Sequence, residues 1–90
     1  MDINIKEYEE LLENSKNKKV RYRLNGDQDF QNDILEDYKI QDNDIKIILR
    51  NSGTIETPNV AQISVTEYDD RTDSWMYSTG NIANRFNLYK

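Results

Sequence analysis

The side chains best placed to do chemistry in this chain are carboxylates. Between Asn25 and Asp44 stand Asp27, Asp29, Asp33, Glu36, Asp37, Asp42 and Asp44, opposed by Lys39 alone. Acids this close repel one another, by up to ~1 kcal/mol for an exposed pair at contact distance in water, so folding alone gives little reason to gather them. Two readings are open. One is a solvated face with turn caps, the usual fate of a charge run. The other is an ordered anionic surface. DNA carries one negative charge per ~1.7 Å of duplex axis, and proteins that hold it line their grooves with Lys and Arg, so a row of carboxylates suits the same groove as a decoy. A second cluster, Glu67, Asp69, Asp70 and Asp73 around Arg71, either extends that surface or forms a polar hairpin loop.

Other chemistries lack their residues. The chain has no Cys and no His, which removes disulfides, thiolate nucleophiles, imidazole bases and nearly all zinc or haem ligation. Asp27-Gln28-Asp29 and Asp42-Asn43-Asp44 offer hard oxygen ligands, but the calcium-loop spacing fails. Counted from Asp27, the sixth position is Asn32 rather than Gly and the twelfth is Tyr38 rather than Glu; counted from Asp42, the sixth is Ile47. There is no Gly-rich phosphate cradle, and no sign of a cleft that would pair two carboxylates for hydrolysis. A non-enzymatic protein without a cofactor is expected.

The bases form the opposing feature. Lys16, Lys18, Lys19, Arg21 and Arg23, with Lys46 and Arg50, fit the open face of a sheet. Such a face holds single-stranded nucleic acid when aromatics are interleaved for stacking. Tyr22 is in phase with Val20 and Leu24 and so points inward, which leaves these bases to balance neighbouring acids and protect an edge strand. Trp75, Tyr77 and Tyr68 read as sheet-packing residues, and as interface anchors where exposed.

The elements that must position these groups fit within 90 residues, enough for one domain spanning residues 1–90. Ile5, Tyr8, Leu11 and Leu12 share one side at helical spacing while Glu7, Glu9, Glu10 and Glu13 fill the other, which predicts an N-terminal helix capped by Asp2 or Asn4. Val20-Arg21-Tyr22-Arg23-Leu24 alternates as a strand with one wet face, closed by the Asn25-Gly26 turn. Phe30, Ile34, Leu35 and Tyr38 predict a short helix over about 30–40, with a partly extended acidic loop as the alternative. Ile45–Arg50 is expected as the central strand, followed by an Asn51-Ser52-Gly53 turn and a return strand from Thr54 to Thr57. Pro58 belongs at an edge, bulge or break before a strand over 60–68 in which Ala61, Ile63 and Val65 share a face. After the polar turn 69–73, Ser74–Ser78 reads as the last strand. Ile82, Phe86 and Tyr89 suggest a helix over 81–90. The expected fold class is α+β: a small antiparallel sheet of three or four strands, with an N-terminal helix and short helices packed on one face.

The net charge of −5 argues against direct contact with nucleic acid or an anionic membrane and for a basic partner. With no apolar stretch near ~18 residues and no basic, apolar leader after Met1, a cytoplasmic address in a bacterial host is expected. The opening Met1-Asp2-Ile3-Asn4-Ile5, the run Lys18-Lys19-Val20-Arg21-Tyr22-Arg23-Leu24-Asn25-Gly26 and the concentrated acids that follow resemble the small acidic phage-encoded inhibitors of bacterial immunity, in particular anti-CRISPR proteins acting on type II Cas9 nucleases. The resemblance covers roughly the first third of the chain and is one of composition. It implies a DNA mimic that occupies the Lys- and Arg-rich site where such a nuclease reads its target-flanking motif, with Cas9 or another basic nucleic-acid-handling protein as partner. The alternative is a phage or mobile-element regulatory or assembly module that pairs with a partner, or with itself, through exposed aromatics and β edges.

Overall fold

Short runs of alternating apolar and polar residues, bounded by Asn, Asp and Gly turns, set the architecture. A computed structural model describes residues 1–80 and 83–90. In chain order the elements are β1 (Asp2–Ile3), α1 (Ile5–Asn14), β2 (Lys19–Arg23), β3 (Gln31–Gln41), β4 (Asp44–Leu49), β5 (Gly53–Thr57), β6 (Val60–Glu67), β7 (Arg71–Ser78) and β8 (Ala83–Tyr89). Hydrogen-bonded neighbours are antiparallel throughout, in the spatial order β1-β6-β7-β8-β2-β3-β4-β5. The expected α+β class is thereby corrected: among the described residues this is an eight-stranded sheet with one short helix.

That sheet has to fold over on itself. β5 and β6 stand six places apart in the order, ~29 Å in a flat sheet, yet only Pro58 and Asn59 join them, a reach of about 11 Å. The fold-over falls at a bulge in β3 between Leu35 and Asp37. Residues before it pair with β2, and residues after it pair with β4. Strands that change layer through a bulge are how corners of stacked sheets are made. Where the layers meet, the Val60 amide donates to the Asn43 carbonyl (2.8 Å) and Asn84 Nδ2 donates to Thr57 Oγ1 (2.9 Å).

Between the layers lies the core. Val20, Tyr22, Ile63, Val65, Met76, Phe86 and Leu88 come from the first layer, and Leu35, Ile45, Ile47 and Leu49 from the second. Tyr22 and Phe86 stack with centroids 5.7 Å apart, worth ~0.5–1.5 kcal/mol beyond their burial. The N-terminal helix forms as expected, with Asn4 as its cap and a reciprocal bond from the Asn4 amide to Glu7. Tyr8 and Leu12 are fully buried, and the Tyr8 hydroxyl donates to Ser74 Oγ (2.8 Å), which donates onward to the Phe86 carbonyl (2.7 Å). Burial pushes the Tyr8 phenol well above its ordinary range, against the Ser74 bond, so it stays neutral. Since Ser74 and Phe86 face the core, α1 lies on the core side of β7 and β8. The opposite face of those strands is left open.

Two predicted helices are strands. Over 30–40 the inward set is Asp33, Leu35, Tyr38 and Ile40, while Phe30 and Ile34, also half-buried, lie on the outer side. The bulged Glu36 stretches one interval from two to three, and the result imitates helical spacing. Over 83–89 the inward set is Asn84, Phe86 and Leu88. The polar Asn84, bonded to Thr57 and to the Asn25 amide, conceals the alternation. Asn81 and Ile82, at the start of that predicted helix, lie outside the described residues. β4 is next to the sheet edge rather than central, and Ala61 is exposed because β6 slips register between Val60 and Gln62.

Candidate functional site: the outer face of β7, β8 and β2

The acids singled out in the sequence do not form one surface. Asp33 is buried and structural. Its Oδ1 accepts from the Ile34 amide (2.7 Å), the Asn51 amide (3.1 Å) and Asn51 Nδ2 (3.2 Å), and its Oδ2 accepts from the Ser52 amide (2.8 Å) and hydroxyl (2.6 Å). Burial pushes this carboxyl up, but the Ser52 hydroxyl and the three amides outweigh it and bring the pKa to about 2. Glu36 pairs with Arg50 at 3.1 Å and Asp37 with Lys16 at 3.2 Å. The Tyr38 amide, then Lys16, holds the Asp37 carboxyl below its usual range. Asp44 accepts from the Asn59 amide (2.9 Å), Glu67 pairs with Lys90 and Asp70 with Arg71. Asp27, Asp29, Asp42 and Asp69 are exposed, in three separate turns. Asp42 sits at φ 54° in the two-residue turn between β3 and β4, a backbone position Asp tolerates better than most residues.

What the fold does assemble is cationic and aromatic. Strand alternation sends Lys19, Arg21 and Arg23 of β2 outward, along with Arg85, Asn87 and Tyr89 of β8 and Arg71, Asp73, Trp75 and Tyr77 of β7. Register places Arg23, Arg85 and Trp75 in one row across the strands, and Arg21, Asn87 and Asp73 in the next. Phe30, at the end of the loop from β2 to β3, closes over this surface. The guanidinium carbons of Arg21, Arg23 and Arg85 lie 4.6, 5.0 and 5.1 Å from its centroid. Arg85 also lies over Trp75 (4.5 Å), Lys19 over Tyr89 (4.8 Å) and Arg71 over Tyr68 (4.4 Å).

One carboxylate orients the layer. Asp73, 1% exposed, receives Arg71 Nε at 2.9 Å and Arg85 Nη2 at 3.0 Å. Although Asp73 read as part of an acidic turn, it lies within β7 and is covered by the arginines it holds. Neither Arg21 nor Arg23 has a carboxylate partner among the described residues. Lys46 and Arg50, expected here, are instead spent on Glu56 and Glu36. The pairs Arg71-x-Asp73-x-Trp75-x-Tyr77 and Arg85-x-Asn87-x-Tyr89 carried a period-2 signal for the face. It becomes readable only once the last segment is taken as a strand.

No family model, curated protein or solved structure matches the chain. The likeness of its first third to acidic anti-CRISPR inhibitors therefore gains no support from known proteins.

Proposed function

We propose that this chain is a non-enzymatic binding module that takes a polyanionic macromolecule on the outer face of β7, β8 and β2. The observation that carries the reading is the convergence of Arg21, Arg23 and Arg85 on the single ring of Phe30. Groups each about 5 Å from one centroid lie within about 10 Å of one another, so every pair repels by at least ~0.4 kcal/mol in water. Each cation–π contact returns ~0.5–1 kcal/mol at an exposed site. The cluster thus adds little net stability to the fold, and the charge of Arg21 and Arg23, which have no carboxylate partner among the described residues, is free to neutralise an external anion.

The decoy reading rests on weaker footing. Of its seven acids Asp33 is buried, Glu36 and Asp37 are neutralised by cations, and Asp44 caps a turn. A titration separates the two. Trp75 is the only tryptophan and lies under Arg85, so its emission reports on the face directly. Heparin, used as a generic polyanion, should change that emission saturably. The change should disappear in molar salt and in the Arg21→Glu/Arg23→Glu variant. No response to heparin at low salt refutes the reading.

A further inference from the structure

Resting on that reading, we infer that the polyanion is single-stranded nucleic acid, with bases stacked on the guanidinium planes of Arg21, Arg23 and Arg85 and phosphates met by Lys19 and the free guanidinium edges. Arg21 and Arg23 are each held against the ring of Phe30 and lack a carboxylate partner among the described residues, whereas Arg85 is held by Phe30, Trp75 and Asp73 together. Unpaired bases stack on such planes as they do on aromatics. Tyr77, 36% exposed, continues the surface two residues beyond Trp75 on the same side of β7.

Shape excludes a duplex. Its grooves admit a helix or a protruding ribbon, whereas this is a sheet face running ~13 Å along β2 and ~10 Å from β7 to β2. That area suits the small end of single-strand sites, about four nucleotides. Polar capacity tells against an anion that only accepts, such as polyphosphate. The buried side-chain atoms without a partner among the described residues are Arg85 Nε and Asn87 Oδ1, a donor and an acceptor two residues apart on one face of β8. Carboxylates and phosphates accept only, and would serve Arg85 alone. A base edge offers both donors and acceptors. To reach the pair a base must turn Arg85 off Asp73, which keeps its bond to Arg71; each orphaned group then served relieves a cost of ~1–3 kcal/mol.

The net charge of −5 does not decide against this. The glutamates of α1 lie on the other side of the sheet, beyond the ~8 Å over which charge acts at physiological salt. The anions at the rim are Asp27 and Asp29, on the loop that ends at Phe30, Asp70, paired with Arg71, and Asp2, in register with Ser64 beside Trp75. Within the face stands Asp73, already spent on Arg71 and Arg85.

The test is anisotropy of a labelled oligothymidylate about 12 nucleotides long, with the same oligomer lacking bases, a duplex of equal length and polyglutamate as competitors. The base-bearing strand should bind about tenfold tighter than the abasic one, and about three neutralised phosphates should weaken it about 20-fold between 50 and 200 mM salt. Arg21→Lys/Arg23→Lys, which keeps charge and removes the planes, should cost about tenfold toward the base-bearing strand and nothing toward the abasic one. Asp27→Asn/Asp29→Asn should tighten binding about two- to threefold. Circular dichroism checks the fold of each variant. Equal affinity for strands with and without bases, or stronger binding of polyglutamate, overturns the inference while leaving the polyanion reading in place. Failure of every probe, heparin included, sinks both.

Discussion

Replacing Asp33 by Asn tests whether a carboxylate from the acidic stretch serves the fold rather than a partner. The wild-type group is 5% exposed and meets five donors, three at one oxygen and two at the other. An amide supplies one oxygen. If that oxygen serves Ile34 and Asn51, the new NH₂ faces the Ser52 amide, a donor that has no other place to turn. The Ser52 hydroxyl, which already accepts from Tyr22 at 2.8 Å, loses its acceptor as well. Bonds to a charged group are worth ~1.5–3 kcal/mol each, so the expected loss is about 3 kcal/mol. In a domain of this size that lowers Tm by about 12–20 °C. The pH dependence has a definite sign. A folded pKa of about 2, below the unfolded value near ~3.9, gives stability that is complete above the unfolded value and is lost as pH falls through the folded one. Urea melts followed by Trp75 emission should show a constant gap between wild type and variant from neutral pH down to about 5. The gap should narrow steadily below about 4. A loss under ~0.5 kcal/mol, or a gap that widens in acid, refutes the structural role. The folded variant should bind oligonucleotide like wild type; the decoy reading requires it to lose its partner instead.

Tyr8→Phe removes the buried hydroxyl from Ser74 while leaving Ser74 its bond to the Phe86 carbonyl, and should cost ~1 kcal/mol in urea denaturation. Asn4→Ala removes the side-chain half of the capping box, the acceptor of the Glu7 amide, and should likewise cost ~1 kcal/mol, with faster amide exchange confined to the first turn of α1. Gly26 sits at φ 88° with open space where a Cβ would stand, so Gly26→Ala should destabilise by ~1 kcal/mol through backbone strain alone, and Gly26→Asn by less. Phe30→Ala frees three guanidiniums at a half-buried loop position. It should leave Tm nearly unchanged and weaken oligonucleotide binding about tenfold, a split that a purely structural Phe30 would not produce.

Elements with a clean period were legible in the sequence, and those with a displaced one were not. α1 was found because Tyr8 and Leu12 stand four apart opposite a row of glutamates, and Asn4 caps it as its type suggests. β2, β4, β5 and β6 read as strands within a residue of their ends, whereas β7 reads as one only from Ser74, three residues past its start, because Arg71-Thr72-Asp73 looks like a polar turn. β3 was lost to a single inserted residue. Glu36 bulges, and the inward set either side of it falls into helix-like intervals. A bulge is specified by the pairing of the strand with β2 and β4, which no window along β3 contains. β8 was lost because Asn84 and Asn87 are buried polar residues at strand positions, and Asn84 is held by Thr57, far away in sequence. The outer face of β7, β8 and β2 goes unread with it. Lys19, Arg21 and Arg23 were noted as a basic strip, but the rings that complete it come from Phe30, Trp75 and Tyr89, and the strand that bridges them is β8.

Net charge misled for a related reason. A total of −5 describes the field far from the molecule, whereas a ligand within a Debye length meets one face. Here two periodicities sort the charges. Period 2 in β2, β7 and β8 sends Lys19, Arg21, Arg23, Arg71 and Arg85 to the outer side of the sheet, with Asp73 among them and Asp70 and Asp2 at its rim. Period 3.6 in α1, together with the anchoring of Tyr8 on Ser74, turns Glu7, Glu9, Glu10 and Glu13 to the other side. An acidic chain thereby carries a cationic surface, and the same separation gives it a dipole that orients approach: a polyanion is repelled from the helix side and drawn to the sheet. The weakness of sequence-level charge arithmetic lies in its blindness to parity, since shifting β2 by one residue would bury Arg21 and Arg23 and expose Val20 and Tyr22 without changing a single count.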